Sequence, residues 1–74
     1  MNVTVKLFAS FRTGRFEIET REYQPGTTVG DVVRELGLSV GELGIMLVNS
    51  RHVKLAHPLA DGDTLALFPL LGGG

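Results

Sequence analysis

The sequence predicts an α+β domain: a mixed sheet packed on one face by one main helix. Three patterns point to it. Apolar and polar residues alternate through two segments near the N-terminus. One stripe at i, i+3, i+4 and i+7 follows, and three short apolar segments separated by turn residues close the chain. The chain has 74 residues, 43% of them hydrophobic, and no cysteine. That describes one small domain with enough apolar surface for a core, and without disulfides or thiolate metal ligands.

Residues 2–9 read as the first strand. Val3, Val5, Leu7 and Ala9 share one face; Asn2, Thr4, Lys6 and Phe8 share the other. Thr13-Gly14 signals a turn, and Phe16 to Tyr23 alternates again, with Phe16 and Ile18 on one face opposite Glu17 and Glu19, which suggests a hairpin. Gln24-Pro25-Gly26 ends that strand. Thr28 can cap a helix, with Asp31 three residues on as an imperfect capping box. Val29, Val32, Val33 and Leu36 form the helical stripe, and Gly37 stops it. Ser39 to Gly44 can add a short turn. Ile45-Met46-Leu47-Val48 reads as a buried strand, Asn49-Ser50-Arg51 as a turn, and His52-Val53-Lys54-Leu55 as a short edge strand. Asp61-Gly62-Asp63 turns the chain into the last strand, Thr64 to Phe68, where Leu65 and Leu67 oppose Ala66 and Phe68.

The order β-β-α-β-β-β is that of the β-grasp, or ubiquitin-like, fold, whose first and last strands lie parallel at the sheet centre. The expected division is a β-grasp domain over 1–71 and a flexible glycine tail over 72–74. Seven Lys+Arg against eight Asp+Glu are scattered, which argues against nucleic acid as a partner. No apolar run reaches a membrane span, and no signal-peptide pattern opens the chain, so a cytoplasmic protein is expected. A domain this small has little room for a walled active site. A binding module or carrier is favoured over a free-standing enzyme.

Gly72-Gly73-Gly74 follow directly on the last strand. Having no side chains to pack, they are expected to stay mobile, and a bare backbone threads a narrow channel on another protein. The stretch from His57 to Gly74 resembles the end of the small sulfur carrier proteins of the MoaD/ThiS family. Val5-Lys6-Leu7-Phe8-Ala9-Ser10-Phe11-Arg12, Val48-Asn49 and the Asp61-Gly62-Asp63 turn resemble the MoaD branch, the small subunit of molybdopterin synthase. The resemblance implies that Gly74 is the reactive residue. Its carboxylate is adenylated by an E1-like enzyme of MoeB or ThiF type using ATP, and a sulfur donor then makes a thiocarboxylate. Gly72 and Gly73 thread the tail. The implied partners are that adenylating enzyme, a sulfur donor, and the molybdopterin synthase large subunit or another sulfur-accepting enzyme. No bound cofactor and no metal are implied. The chain departs from relatives with a second proline where Leu70 stands, and from those ending in two glycines.

Strand parity puts Phe8 and Phe68 on the face away from the core, and neighbouring first and last strands bring the rings together. An exposed aromatic cluster marks an interface. The resemblance supports that reading and adds Arg12. Met46, counted opposite Ile45 and Leu47, is expected to join the patch, with Leu70 and Leu71 at the start of the tail. His52 and His57 show no metal-ligand pattern, and Asp61 and Asp63 read most simply as a turn. Glu17, Glu19, Arg21 and Glu22 read as a solvated strand face. Three functional classes stay open: a sulfur carrier for molybdopterin, thiamine thiazole or another acceptor; a ubiquitin-like protein modifier; and a plain interaction module.

Overall fold

Strand β1 (Asn2–Leu7) occupies the sheet interior, as its alternation requires, with Val3, Val5 and Leu7 fully buried. The computed structural model describes residues 1–70. β2 (Ile18–Glu22) runs antiparallel to β1, helix α1 (Val29–Glu35) crosses, and β3 (Leu43–Val48), β4 (Arg51–His52) and β5 (Thr64–Pro69) complete a five-stranded sheet. Its order is β2-β1-β5-β3-β4, with β1 and β5 parallel and the other pairings antiparallel. This mixed sheet with one α-helix is the β-grasp architecture that the element order predicts.

Leu65 and Leu67 of β5 lie beside Val5 and Leu7 of β1 and meet Val29, Val32 and Val33 of α1, all with no exposed area. Phe11, Leu38, Val48 and Leu59 close this single core. The helix is short because both ends are fixed. At its start the Thr28 hydroxyl accepts from the Asp31 amide at 3.2 Å, while the Asp31 carboxylate accepts from the Thr28 amide at 2.9 Å. The box is complete although its acid is the shorter aspartate. The Thr28 amide foremost, then the Thr28 side chain and Arg34, hold the Asp31 carboxyl below its ordinary pKa. Thr28→Ala is expected to cost about 1 kcal/mol in a denaturant melt. At the other end Gly37 takes φ +70°, a left-handed cap open to glycine without strain. Arg15 donates to the carbonyls of Leu36, at 2.9 Å, and Gly37, so the loop after β1 clamps the helix end.

Several elements are shorter than their alternation suggests. The first strand stops at Leu7 because residues Ala9–Arg12 wind into a 3-10 turn that buries Phe11. A bend at Glu17 separates Phe16 from β2, so the two do not share a face: Phe16 packs against the core and Ile18 is exposed. β4 covers only Arg51 and His52: Asn49 and Ser50, at φ 51° and 69°, form a two-residue hairpin turn before it, and a turn closed by the His57 amide on the Lys54 carbonyl at 3.0 Å follows it. The acidic turn is occupied by its own bonds. Asp61 accepts from the Asn2 amide at 2.7 Å, and Asp63 from the Ala60 amide and the Asn49 side chain at 2.8 and 2.9 Å. Among the described residues no group of three or more His, Asp or Glu side chains is placed to hold a metal ion. No helix there is long and apolar enough to cross a membrane.

The charged face assigned to the second strand divides between two environments. Glu19 and Arg21 pair with Val5 and Val3 and so lean toward the helix side. Arg21 bridges Glu19 at 3.1 Å and Glu35 of α1 at 3.4 Å. The Tyr23 hydroxyl donates to Glu35 at 2.8 Å. Burial, then that hydrogen bond and the glutamate charge, push the Tyr23 pKa up to about 12 from 10.0. A raised folded-state pKa means a contribution that is intact below pH 10 and lost as pH climbs toward about 12. The melting temperature is therefore expected to fall more steeply over that interval for wild type than for Tyr23→Phe. Parallel curves would remove Tyr23 from the alkaline response.

Candidate functional site

β1 and β5 run side by side and in the same direction, so their C-terminal residues finish at one end of the sheet. Phe8 follows β1, and its amide donates to the Leu67 carbonyl at 3.2 Å, extending the parallel ladder by one residue. Phe8 and Phe68 therefore emerge together on the face opposite α1. Their rings stack with centroids 4.0 Å apart and planes within 8°. Both are half-buried. Such a pair contributes about 0.5–1.5 kcal/mol beyond the area it buries.

Arg12 comes to this stack through the turn after β1. Ala9 takes φ 51°, which reverses the chain into the 3-10 turn. The Arg12 Nε then donates to the Leu7 carbonyl at 2.8 Å, and its guanidinium carbon lies 5.5 Å from the Phe8 ring centroid. Glu17 stands 3.5 Å from the same guanidinium. A cation held over a ring at an exposed site contributes about 0.5–1 kcal/mol, and the group keeps donors for a partner. Lys6, Phe8, Leu47, Thr64, Ala66 and Phe68 line a shallow depression along the face.

Phe8, Phe68 and Arg12 are thus brought together as the sequence predicts, and Met46 is not. Met46 pairs with Leu67, a core residue, and packs inward. Ile45 pairs with Phe68 and Leu47 with Ala66, so these two take the outer face. Ile45 is 41% exposed, which also corrects the reading of Ile45 to Val48 as wholly buried. Four consecutive apolar residues carry no alternation, so the sequence cannot say which pair faces in; the register against β5 decides. Ile18, 56% exposed and opposite Lys6, is a further outer-face residue that sequence parity missed.

The chain leaves β5 beside β3. Leu70 is 59% exposed, and its amide donates to the Glu42 carbonyl at 2.8 Å. Next to it β3 carries an irregularity between Leu43 and Ile45, centred on Gly44. The expectations for Leu71, Gly72, Gly73 and Gly74, and the boundary drawn between 71 and 72, lie outside the described residues. The site as described is a basic and aromatic patch at the end of the sheet where the C-terminal segment begins.

Comparison with solved structures places this fold among small ubiquitin-like proteins. A putative molybdopterin converting factor subunit 1 from Pyrococcus furiosus superposes with TM-score 0.78 at 28% identity, over 96% of this chain and 99% of that one. SAMP1, a small archaeal modifier protein of Haloferax volcanii, gives 0.77 at 26% identity over the whole of both chains. The Haloferax volcanii HVO 2177 protein gives 0.80 at 30% identity, over 100% of this chain and 87% of that one. No curated protein matches the sequence. The ThiS family model matches residues 5–74, which takes in both the stacked face and the terminal glycines. The chain belongs to the ThiS family of small ubiquitin-like β-grasp proteins.

Proposed function

We propose that this protein is a sulfur carrier whose Gly74 carboxylate is adenylated and then converted to a thiocarboxylate. One observation carries the reading: the half-buried Phe8–Phe68 stack with Arg12 lies at the end of β5, the strand from which the C-terminal segment departs. A partner that grips this face receives the tail from a fixed origin. The family match running to residue 74 supports Gly74 as the reactive end.

The chemistry follows from what a carboxylate lacks. It is a poor electrophile until its oxygen is joined to a good leaving group. Attack of the Gly74 carboxylate on ATP, in an E1-like enzyme of MoeB or ThiF type, would form an acyl-adenylate and release pyrophosphate. A sulfide-level donor then displaces AMP and leaves a thiocarboxylate. That sulfur is a nucleophile in a chain without cysteine. In this division of labour the chain contributes the carboxylate and the docking face, and its partners contribute the acid–base groups. It acts as a non-catalytic small subunit with no bound cofactor.

The preferred acceptor is the pterin precursor of molybdopterin, reached by inserting the tail into a larger catalytic subunit. The likeness to a protein named as subunit 1 of a molybdopterin converting factor supports it. Thiamine thiazole is the alternative acceptor. A second reading, favoured by the likeness to a modifier protein, keeps the adenylate and joins Gly74 to a lysine amine instead. The intact mass of the untagged protein from its native host distinguishes them. Replacement of one oxygen by one sulfur, lost on deletion of Gly74, is the expected result. Protein that stays unmodified with activating enzyme, ATP and a sulfur donor would overturn the carrier reading. Higher-mass adducts that survive denaturation would move the modifier reading ahead.

A further inference from the structure

We infer that Gly44 is a positioning residue for the C-terminal segment: by lacking a side chain it seats the backbone of Pro69 and Leu70 against β3 and so sets the direction in which the tail leaves. The inference rests on the proposed activation of Gly74. Gly44 makes the closest backbone approach of the described glycines; Gly30 is the other tight one, where a Cβ would lie 3.2 Å from the Leu55 carbonyl oxygen. Gly14, Gly26, Gly37 and Gly62 have positive φ and open space around them, so conformation is what they supply. Gly44 has no such φ. A Cβ there would lie 2.7 Å from the Pro69 carbonyl oxygen, 3.0 Å from its carbon and 3.1 Å from the Leu70 Cα. All three are backbone atoms, which cannot swing aside as a side-chain end can.

The surroundings show what this close approach achieves. β3 and β5 shift register at this point, between Leu43 and Ile45, where two steps of β3 match one step of β5. Leu43 still pairs with Pro69, and the Leu70 amide reaches back to the Glu42 carbonyl at 2.8 Å. Proline supplies no amide of its own. The Leu70 N–H is therefore the last bond that the described chain makes before the tail, and it forms where Gly44 leaves room. Phe8 and Arg12 are held separately, by the Phe8 amide bond to the Leu67 carbonyl and by the turn after β1, and Phe68 by its stack on Phe8 and its pairing with Ile45. Docking and tail direction are thus governed by different residues of one surface.

Gly44→Ala separates the two, with Gly41→Ala as control, because a Cβ at Gly41 meets only the Ser39 hydroxyl at an ordinary 3.7 Å. In Gly44→Ala, amide exchange at Leu70 is expected to speed up by about fivefold or more, the loss of one net hydrogen bond. Exchange at Leu7 and Leu65 should not change. With an E1-like activating enzyme, kcat for adenylation is expected to fall, on the order of a hundredfold for a tail displaced by about 1 Å, while KM stays near wild type. An ester in place of the Leu70 amide, introduced by semisynthesis, deletes the donor and adds no bulk. It should lower kcat in the same way with KM near wild type, and it keeps the test open if Gly44→Ala does not fold. Faster Leu70 exchange with unchanged kcat would overturn the inference, and so would a raised KM with unchanged kcat, which would make Gly44 a docking contact. Unchanged Leu70 exchange in Gly44→Ala, or unchanged kcat in the ester, would also overturn it. Wild-type protein that is never adenylated would sink the carrier reading instead, leaving the seating of Leu70 to be decided by exchange alone.

Discussion

Adding residues after Gly74 is expected to abolish adenylation while leaving the melting temperature where it is. In the proposed mechanism the reacting group is the Gly74 carboxylate, and extension turns it into a peptide carbonyl and moves the free carboxylate at least one residue beyond the position that meets ATP. No fold-stabilising role is disturbed, because the buried core runs from Val3 to Leu67. The measurement is ATP-dependent pyrophosphate release with an activating enzyme, beside a thermal melt, for wild type and for a chain ending in one added alanine. Turnover of the extended chain without prior cleavage would show that Gly74 is not the reactive end.

Phe68→Ala should weaken partner binding by about 2 kcal/mol or more, roughly thirtyfold, as expected for an aromatic anchor at the centre of an interface. Its cost to stability should be nearer 1 kcal/mol. The ring is half-exposed and stacks on Phe8 rather than filling the core, so its removal opens no closed cavity. A fully buried phenylalanine would cost about 3–5 kcal/mol. Titration calorimetry against the activating enzyme, with a denaturant melt of the free protein, reads both quantities. A melt shifted as far as for a core deletion, with binding unchanged, would make Phe68 a structural residue.

The sequence was informative where one face of an element is apolar and the other is not. The alternation of Val3, Val5 and Leu7, the stripe of Val29, Val32 and Val33, and the pair Leu65 and Leu67 name most of the core and imply the sheet's layers. The same parity places Phe8 and Phe68 correctly outside. It fails where no contrast exists: Ile45 to Val48 are all apolar, so the inward pair is set by register with β5, and Met46 goes in while Ile45 goes out. It fails also at Ile18, because the bend at Glu17 resets the count. Strand ends are set by backbone events with faint signals, such as positive φ at Ala9, Asn49 and Ser50. The role of Gly44 depends on two distant segments meeting, which no local pattern reports.

The parallel pairing of β1 with β5 also governs when this protein can first function. Nearly the whole chain separates Thr4 from its neighbour Thr64, and the central ladder needs both strands. Contacts so distant in sequence are slow to form and arrive late in folding. During synthesis β1 must wait, unpaired on its inner edge, until β5 clears the ribosome, and until then neither the aromatic stack nor the seat at Leu70 exists. Fragments cut short of β5 would lack the binding surface altogether. An activating enzyme that reads that surface would thereby select finished molecules, making the fold's slowest contact a form of quality control.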